Sequence, residues 1–129
     1  GFVVLLDVHS IKQRVPRLFE GDLPDFNFGT NHGKSCGAAF QELIEEFAES
    51  ISDYTHVINE RFVGGYITRH YGSMENVHAV QLELNRSTYM DEETLDWDFD
   101  KSVDVIPVIE RFVISLMKWA ENHPGKKVS

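Results

Sequence analysis

The sequence predicts an α/β domain with a mixed, mostly parallel sheet packed by helices, and three patterns carry that prediction. Residues 2–6 form an apolar run without alternation, as a strand covered on both faces does. Residues 38–51 repeat apolar side chains at helical spacing, and residues 77–85 alternate with a period of two. A length of 129 residues and a mass of 14.8 kDa bound the chain to one domain.

The elements follow in order. Residues 2–6 read as a strand buried between helix layers, the adjacent valines favouring strand over a short buried helix. Residues 10–35 hold Pro16, Gly21, Pro24, Gly29 and Gly33 with no sustained period and read as a long loop, ordered by Phe19, Phe26 and Phe28. Over residues 38–51, Phe40, Leu43, Ile44, Phe47, Ala48 and Ile51 share one helix face opposite Glu42, Glu45, Glu46 and Glu49, with Ser35 as the N-cap. Residues 54–59 read as a strand, Gly64-Gly65 as a turn, and residues 65–70, rich in Tyr, Ile and Thr, as a further extended segment.

Along residues 77–85, His78, Val80, Leu82 and Leu84 take one face, and Ala79, Gln81, Glu83 and Asn85 the other. The acidic stretch 86–99 is anchored by Trp97 and Phe99. The last helix, residues 102–122, carries Val105, Ile109, Phe112, Val113, Leu116, Met117 and Ala120 as its stripe, and Pro107 either starts or kinks it. Pro124 stops that helix, and residues 125–127 read as a frayed tail.

Composition narrows the function classes. A hydrophobic share of 42% and a charged share of 26% describe an ordinary globular chain rather than a disordered one. Twelve Lys and Arg against 21 Asp and Glu give a net charge of −9, which repels nucleic acid and anionic membrane surfaces. Cys36 is the one cysteine, so an intrachain disulfide is excluded and a cytoplasmic setting is expected. No apolar run reaches membrane-spanning length. The chain opens at once on an apolar run, as the interior of a domain does, and reads as cut from something longer.

Three groups of residues could carry chemistry. Asp7 and His9 stand two apart at a strand end, so both side chains leave one face, with an imidazole to bind metal and a carboxylate to orient it. A polar pair closing off a strand is the competing reading. Zinc hydrolases generally need three protein ligands, and His32, His56, His70, His78 and His123 form no short ligand cluster. His56 reads as a hydrogen-bonded structural residue, and His123 as a complement to the last helix's negative end.

Glu83 amid Val80, Leu82 and Leu84 is either a general base with a raised pKa or the wet face of an edge strand. Arg14, Arg17 and Arg69 either fork onto a carboxylate-bearing ligand or pair with surface acids.

The blocks Leu5-Leu6-Asp7-Val8-His9-Ser10-Ile11, Arg14-Val15-Pro16-Arg17-Leu18-Phe19-Glu20-Gly21, Pro24-Asp25-Phe26-Asn27-Phe28-Gly29-Thr30-Asn31, Gly64-Gly65-Tyr66-Ile67-Thr68-Arg69-His70-Tyr71-Gly72 and Val80-Gln81-Leu82-Glu83-Leu84-Asn85 through Tyr89-Met90-Asp91-Glu92 together resemble the N-formylglutamate amidohydrolase family. The resemblance implies a zinc-dependent hydrolase, metallocarboxypeptidase- and aspartoacylase-like in architecture, that splits N-formyl-L-glutamate into formate and L-glutamate in bacterial histidine degradation. It implies His9 as a metal ligand with Asp7 behind it, Glu83 as the acid/base, and Arg14, Arg17, Asn31, Arg69 and His70 as holders of a small dicarboxylate substrate.

The family's other two ligands lie upstream of the Asp-x-His-Ser block. The resemblance therefore implies that residues 1–129 are the C-terminal portion of one domain, incomplete at its N-terminal side and supplying part of a site. Self-association through the truncated side of the sheet is expected on that basis. The competing functions are hydrolysis of another N-acylamino acid, or a non-catalytic binding or assembly role on the same fold.

Overall fold

In a computed structural model, residues 1–123 are described, and they form one four-stranded sheet with helices on both faces. The elements are β1 (Val3–Ile11), β2 (Phe26–Gly29), α1 (Ala38–Ser50), β3 (His56–Ile58), α2 (Tyr66–Gly72), β4 (Val77–Asn85), a single 3₁₀ turn (Arg86–Thr88) and α3 (Phe99–Asn122). The strand order is β1-β4-β2-β3. β1 runs parallel to β4 and β2 parallel to β3, while β2 and β4 are antiparallel, so the sheet is mixed with two of its three pairings parallel.

One face of the sheet holds the core. Val80, Leu82 and Leu84 of β4 and Phe26 and Phe28 of β2 meet Phe40, Ile44 and Phe47 of α1 and Val105, Phe112 and Leu116 of α3. Phe28, Phe47 and Phe112 pack ring against ring at centroid distances of 5.2 Å (Phe28–Phe112) and 4.8 Å (Phe47–Phe112). Full burial of each such side chain contributes about 1.5–3 kcal/mol. The alternation read along residues 77–85 is the one the sheet uses. Its polar face is not wet, however: β4 lies between β1 and β2 and is buried nearly end to end, so the edge-strand reading of Glu83 is wrong.

Several expectations are corrected. β1 is an edge strand among the described residues, and Val3 is 53% exposed, so the run 2–6 is not covered on both faces. The strand runs on to Ile11, so Asp7 and His9, expected at its end, lie within it. The loop expected over 10–35 contains β2, whose four residues are too few to show a period. Ser35 does not cap α1. Gly37 holds that position, and the Ser35 hydroxyl donates to the carbonyl of Ala79 at 2.7 Å.

Residues 65–70 are not extended. They enter α2, where Gly65 is the N-cap and Thr68 and Gly72, one turn apart, face the protein. The β-rich composition misleads here because tertiary packing outweighs local propensity in so short a helix.

α3 begins at Phe99, three residues early, with the Asp98 side chain accepting from the backbone N–H of Lys101 as a cap. Pro107 lies inside the helix on its exposed side, where the carbonyl a proline leaves unpaired, that of Val103, is open to solvent. Phe99 is 73% exposed and does not anchor the preceding stretch, and Trp97, 61% exposed, is held by its indole N–H to Ser102 Oγ, by its ring against Tyr89 and by a backbone bridge to Met90. Val113 and Met117 of the expected stripe are exposed, because the buried face centres on Val105, Phe112 and Leu116. His123 Nδ1 donates to the Trp119 carbonyl at 2.8 Å, the helix-end role expected of it. His56 Nδ1 is buried without a hydrogen-bond partner among the described residues, contrary to its expected pairing. The reading of residues 124–127 falls outside the described residues.

Candidate active site

The second face of the sheet gathers the polar residues. Cross-strand partners project to the same face, so the register His9–Glu83–Asn27 lays an imidazole, a carboxylate and an amide in one row across β1, β4 and β2. The next row is Asp7–Gln81–Gly29. Asp7, His9 and Glu83, picked out from sequence separately, are brought together here.

The His9 Nε2–H donates to Asp7 Oδ2 at 2.9 Å. A carboxylate only accepts, so this bond fixes the proton on Nε2 and leaves the Nδ1 lone pair of the neutral ring for another partner. Glu83 is 6% exposed. Burial pushes its carboxyl up from the ordinary value; His9 pulls it down, and the neighbouring Asp7 charge pushes it up again. A carboxyl raised in this way holds its proton more readily than an ordinary glutamate does.

Gln81 was not picked out from sequence, although it shares the Glu83 face of β4. Its Oε1 accepts from the Gly65 N–H at 2.7 Å, and its Nε2 lies 3.5 Å from Glu83 Oε2. It thus ties the start of α2 to the carboxylate row. Asn27 was hidden because β2 was not visible. Its Nδ2 donates to the carbonyls of Pro24 and Glu83, and its Oδ1 is buried without a partner among the described residues.

The remaining predicted residues divide into two groups. Arg14 and Arg17, both exposed, line an open cleft of about 510 Å³ past the end of β1, together with Lys12 and Arg86. Arg14 is also bonded to Asp22, which holds its guanidinium more firmly protonated and keeps the Asp22 carboxyl low. Arg69 and His70 are exposed on α2, where Arg69 Nε donates to the Gly65 carbonyl at 3.4 Å and the His70 ring stacks on Tyr66.

Asn31 sits at φ 49° in the turn after β2, a left-handed conformation that asparagine tolerates better than most residues. That turn is held by Asn59, whose Oδ1 accepts from the N–H groups of Thr30 (2.8 Å) and His32 (3.3 Å). No group of three His, Cys, Asp or Glu side chains able to hold a metal is present among the described residues.

Fold and site together define a class: α/β proteins that gather ionisable and amide side chains on the polar face of a mixed sheet. The chain belongs to the N-formylglutamate amidohydrolase family, whose model matches residues 1–90. It is 48% identical over 121 residues to the N-formylglutamate deformylase of Pseudomonas aeruginosa and 43% identical over 121 residues to that of Pseudomonas putida. Both matches cover 92% of this chain but only 46% and 45% of the relatives, so the chain spans about half their length. The crystal structure of N-formylglutamate amidohydrolase from Ralstonia eutropha JMP134 superposes with a TM-score of 0.69 at 22% identity, over 94% of this chain and 44% of that one, a likeness of fold. No helix among the described residues is long and apolar enough to cross a membrane.

Proposed function

We propose that the intact gene product hydrolyses N-formyl-L-glutamate to formate and L-glutamate in the cytoplasm as a step of histidine degradation, and that residues 1–129 supply the acid/base and part of the metal and substrate sites. The observation that carries this reading is the buried Glu83 carboxyl, raised by its burial and set opposite the Asp7–His9 pair. The names of the relatives support the substrate.

Glu83 takes a proton from the attacking water and returns it to the departing amine nitrogen, so one carboxyl serves both halves of the reaction. Its burial keeps bulk water from competing for that proton. Asp7 fixes the His9 tautomer, and Gln81 restrains the Glu83 carboxylate while tying it to α2.

The donor chemistry fits a zinc ion through one imidazole: with Nε2 committed to Asp7, His9 would contribute Nδ1, and further ligands would come from outside the described residues. When bound, zinc supplies Lewis acidity and lowers the pKa of water. Arg17, Arg69, His70 and Asn31 are the proposed holders of the substrate's carboxylates and formyl oxygen. Arg14, already occupied by Asp22, is the weakest of the original candidates.

Formate release from N-formyl-L-glutamate by the intact gene product tests the reading, with N-formyl-L-aspartate assayed in parallel to separate the other N-acylamino acid hydrolases. Glu83→Gln is expected to lower kcat by about 10²–10⁴-fold, the usual contribution of general acid–base catalysis, with zinc content unchanged. Turnover equal to the parent would remove Glu83 from the mechanism.

A further inference from the structure

The cleft past the end of β1 is a local inversion of charge in an acidic chain. Its lining includes Lys12, Arg14, Arg17 and Arg86, with Val15 and Pro16 as apolar wall and no carboxylate. The four cations are not equivalent. Arg14 is bonded to Asp22, and Lys12 also faces a neighbouring cavity that contains Glu92. Among the described residues, the guanidinium groups of Arg17 and Arg86 have no hydrogen bond or ion pair.

Of these two, Arg86 is the better placed. It is half-buried, whereas Arg17 is exposed. Its backbone is fixed by Asn85, which is 2% exposed. The Asn85 Nδ2 donates to the Leu23 carbonyl, and its Oδ1 accepts from the N–H and hydroxyl of Ser87. The walls are fastened as well: the Ser10 and Tyr89 hydroxyls are bonded at 2.6 Å, and the Gln13 N–H donates to the Glu92 carboxylate at 3.1 Å.

Position then sets the ligand. Arg86 follows Asn85, whose register partner is Ile11, two residues beyond the Glu83–His9 pair. At a strand rise of 3.3 Å per residue those pairs are roughly 6–7 Å apart. In an N-acylated glutamate the acyl carbon and the distal carboxylate carbon are also roughly 6 Å apart, from standard bond lengths. A substrate lying along the strands with its acyl carbon beside Glu83 therefore brings its distal carboxylate level with Ile11, which lines the cleft beside Arg86. The planar guanidinium forks onto both oxygens of a carboxylate and offers nothing comparable to a neutral amide.

We propose that Arg86 is a specificity-determining residue that grips the distal carboxylate of an N-acylated acidic amino acid, a role that rests on, and refines, the function proposed above. The test uses the intact gene product with N-formyl-L-glutamate and N-formyl-L-glutamine, which differ only in the charge of the distal group. Arg86→Met is expected to raise KM for the diacid by about 10–100-fold, in keeping with a charged hydrogen-bonded pair, while leaving kcat and the KM for the amide unchanged. Arg86→Lys is expected to recover part of the loss.

An unchanged KM for the diacid overturns the proposal, as does an equal rise for both substrates, which would mark Arg86 as merely structural. If the parent hydrolyses neither compound, the proposed function fails, and calorimetric titration of L-glutamate and L-glutamine then decides the role of Arg86. Loss of glutamate affinity alone in Arg86→Met supports it, and any other pattern overturns it.

Discussion

Gly72 closes α2 directly against Ser35. A methyl group added there would lie 2.5 Å from Ser35 Cβ, 2.8 Å from its Cα and 2.9 Å from its carbonyl oxygen. Ser35 has little freedom to retreat. Its hydroxyl donates to the Ala79 carbonyl at 2.7 Å, its N–H donates to the Thr30 carbonyl at 3.0 Å, and its own carbonyl accepts from the Ala79 N–H at 2.8 Å.

Two effects of Gly72→Ala therefore oppose each other. Helix propensity favours alanine by at most about 1 kcal/mol, while overpacking against a fixed neighbour costs typically about 1–3 kcal/mol. With backbone atoms among the clashing partners, the upper part of that range applies, and the net expectation is a loss of about 1–2 kcal/mol. Urea unfolding followed by circular dichroism reads this directly as a lower midpoint at unchanged slope. The sign discriminates: a variant as stable as the parent, or more stable, would show that α2 does not rest on Ser35 as described. Ser35→Gly should rescue the defect only partly, because two of the three close atoms are backbone.

Two further outcomes follow from named contacts. Glu83 has a folded-state pKa above its unfolded value, so the native state retains a proton that the unfolded chain has released. Its burial is therefore tolerated below the usual glutamate range and costs increasing stability as pH rises through the raised value. Glu83→Gln should be more stable than the parent at neutral pH and converge with it in acid, as thermal melts across pH would show. A constant difference at every pH would contradict this. Asn59, itself at φ 55°, holds the turn bearing Asn31 through bonds from the Thr30 and His32 N–H groups. Asn59→Ala should cost about 1–3 kcal/mol, since Thr30 is fully buried, and Asn59→Gly should recover only the conformational part in the same denaturation assay.

The sequence alone determined the elements whose side chains repeat long enough to declare a period. α1 and β4 lie close to where their patterns place them, and β4 separates its apolar and polar faces by simple alternation. The Asp7-x-His9 spacing likewise put two side chains on one face whatever the surroundings. The family resemblance was legible because its blocks recur in order along the chain.

Tertiary structure decided the rest, because the missing information lay in partners distant in sequence. Four-residue β2 exists through its pairing with β4 and β3, and α2 overrides a β-rich composition to set Gly72 against Ser35. Glu83 had two readings until β1 and β2 flanked its strand, since alternation cannot report whether a polar face is wet. Arg86 carried no signal in its local sequence. It became a candidate when the fold set it in an open cleft with Arg14 and Arg17, showing that Arg14 is paired with a neighbouring carboxylate and Arg86 is not. Local sequence sets which face a side chain leaves, and only the packed chain sets what that face meets.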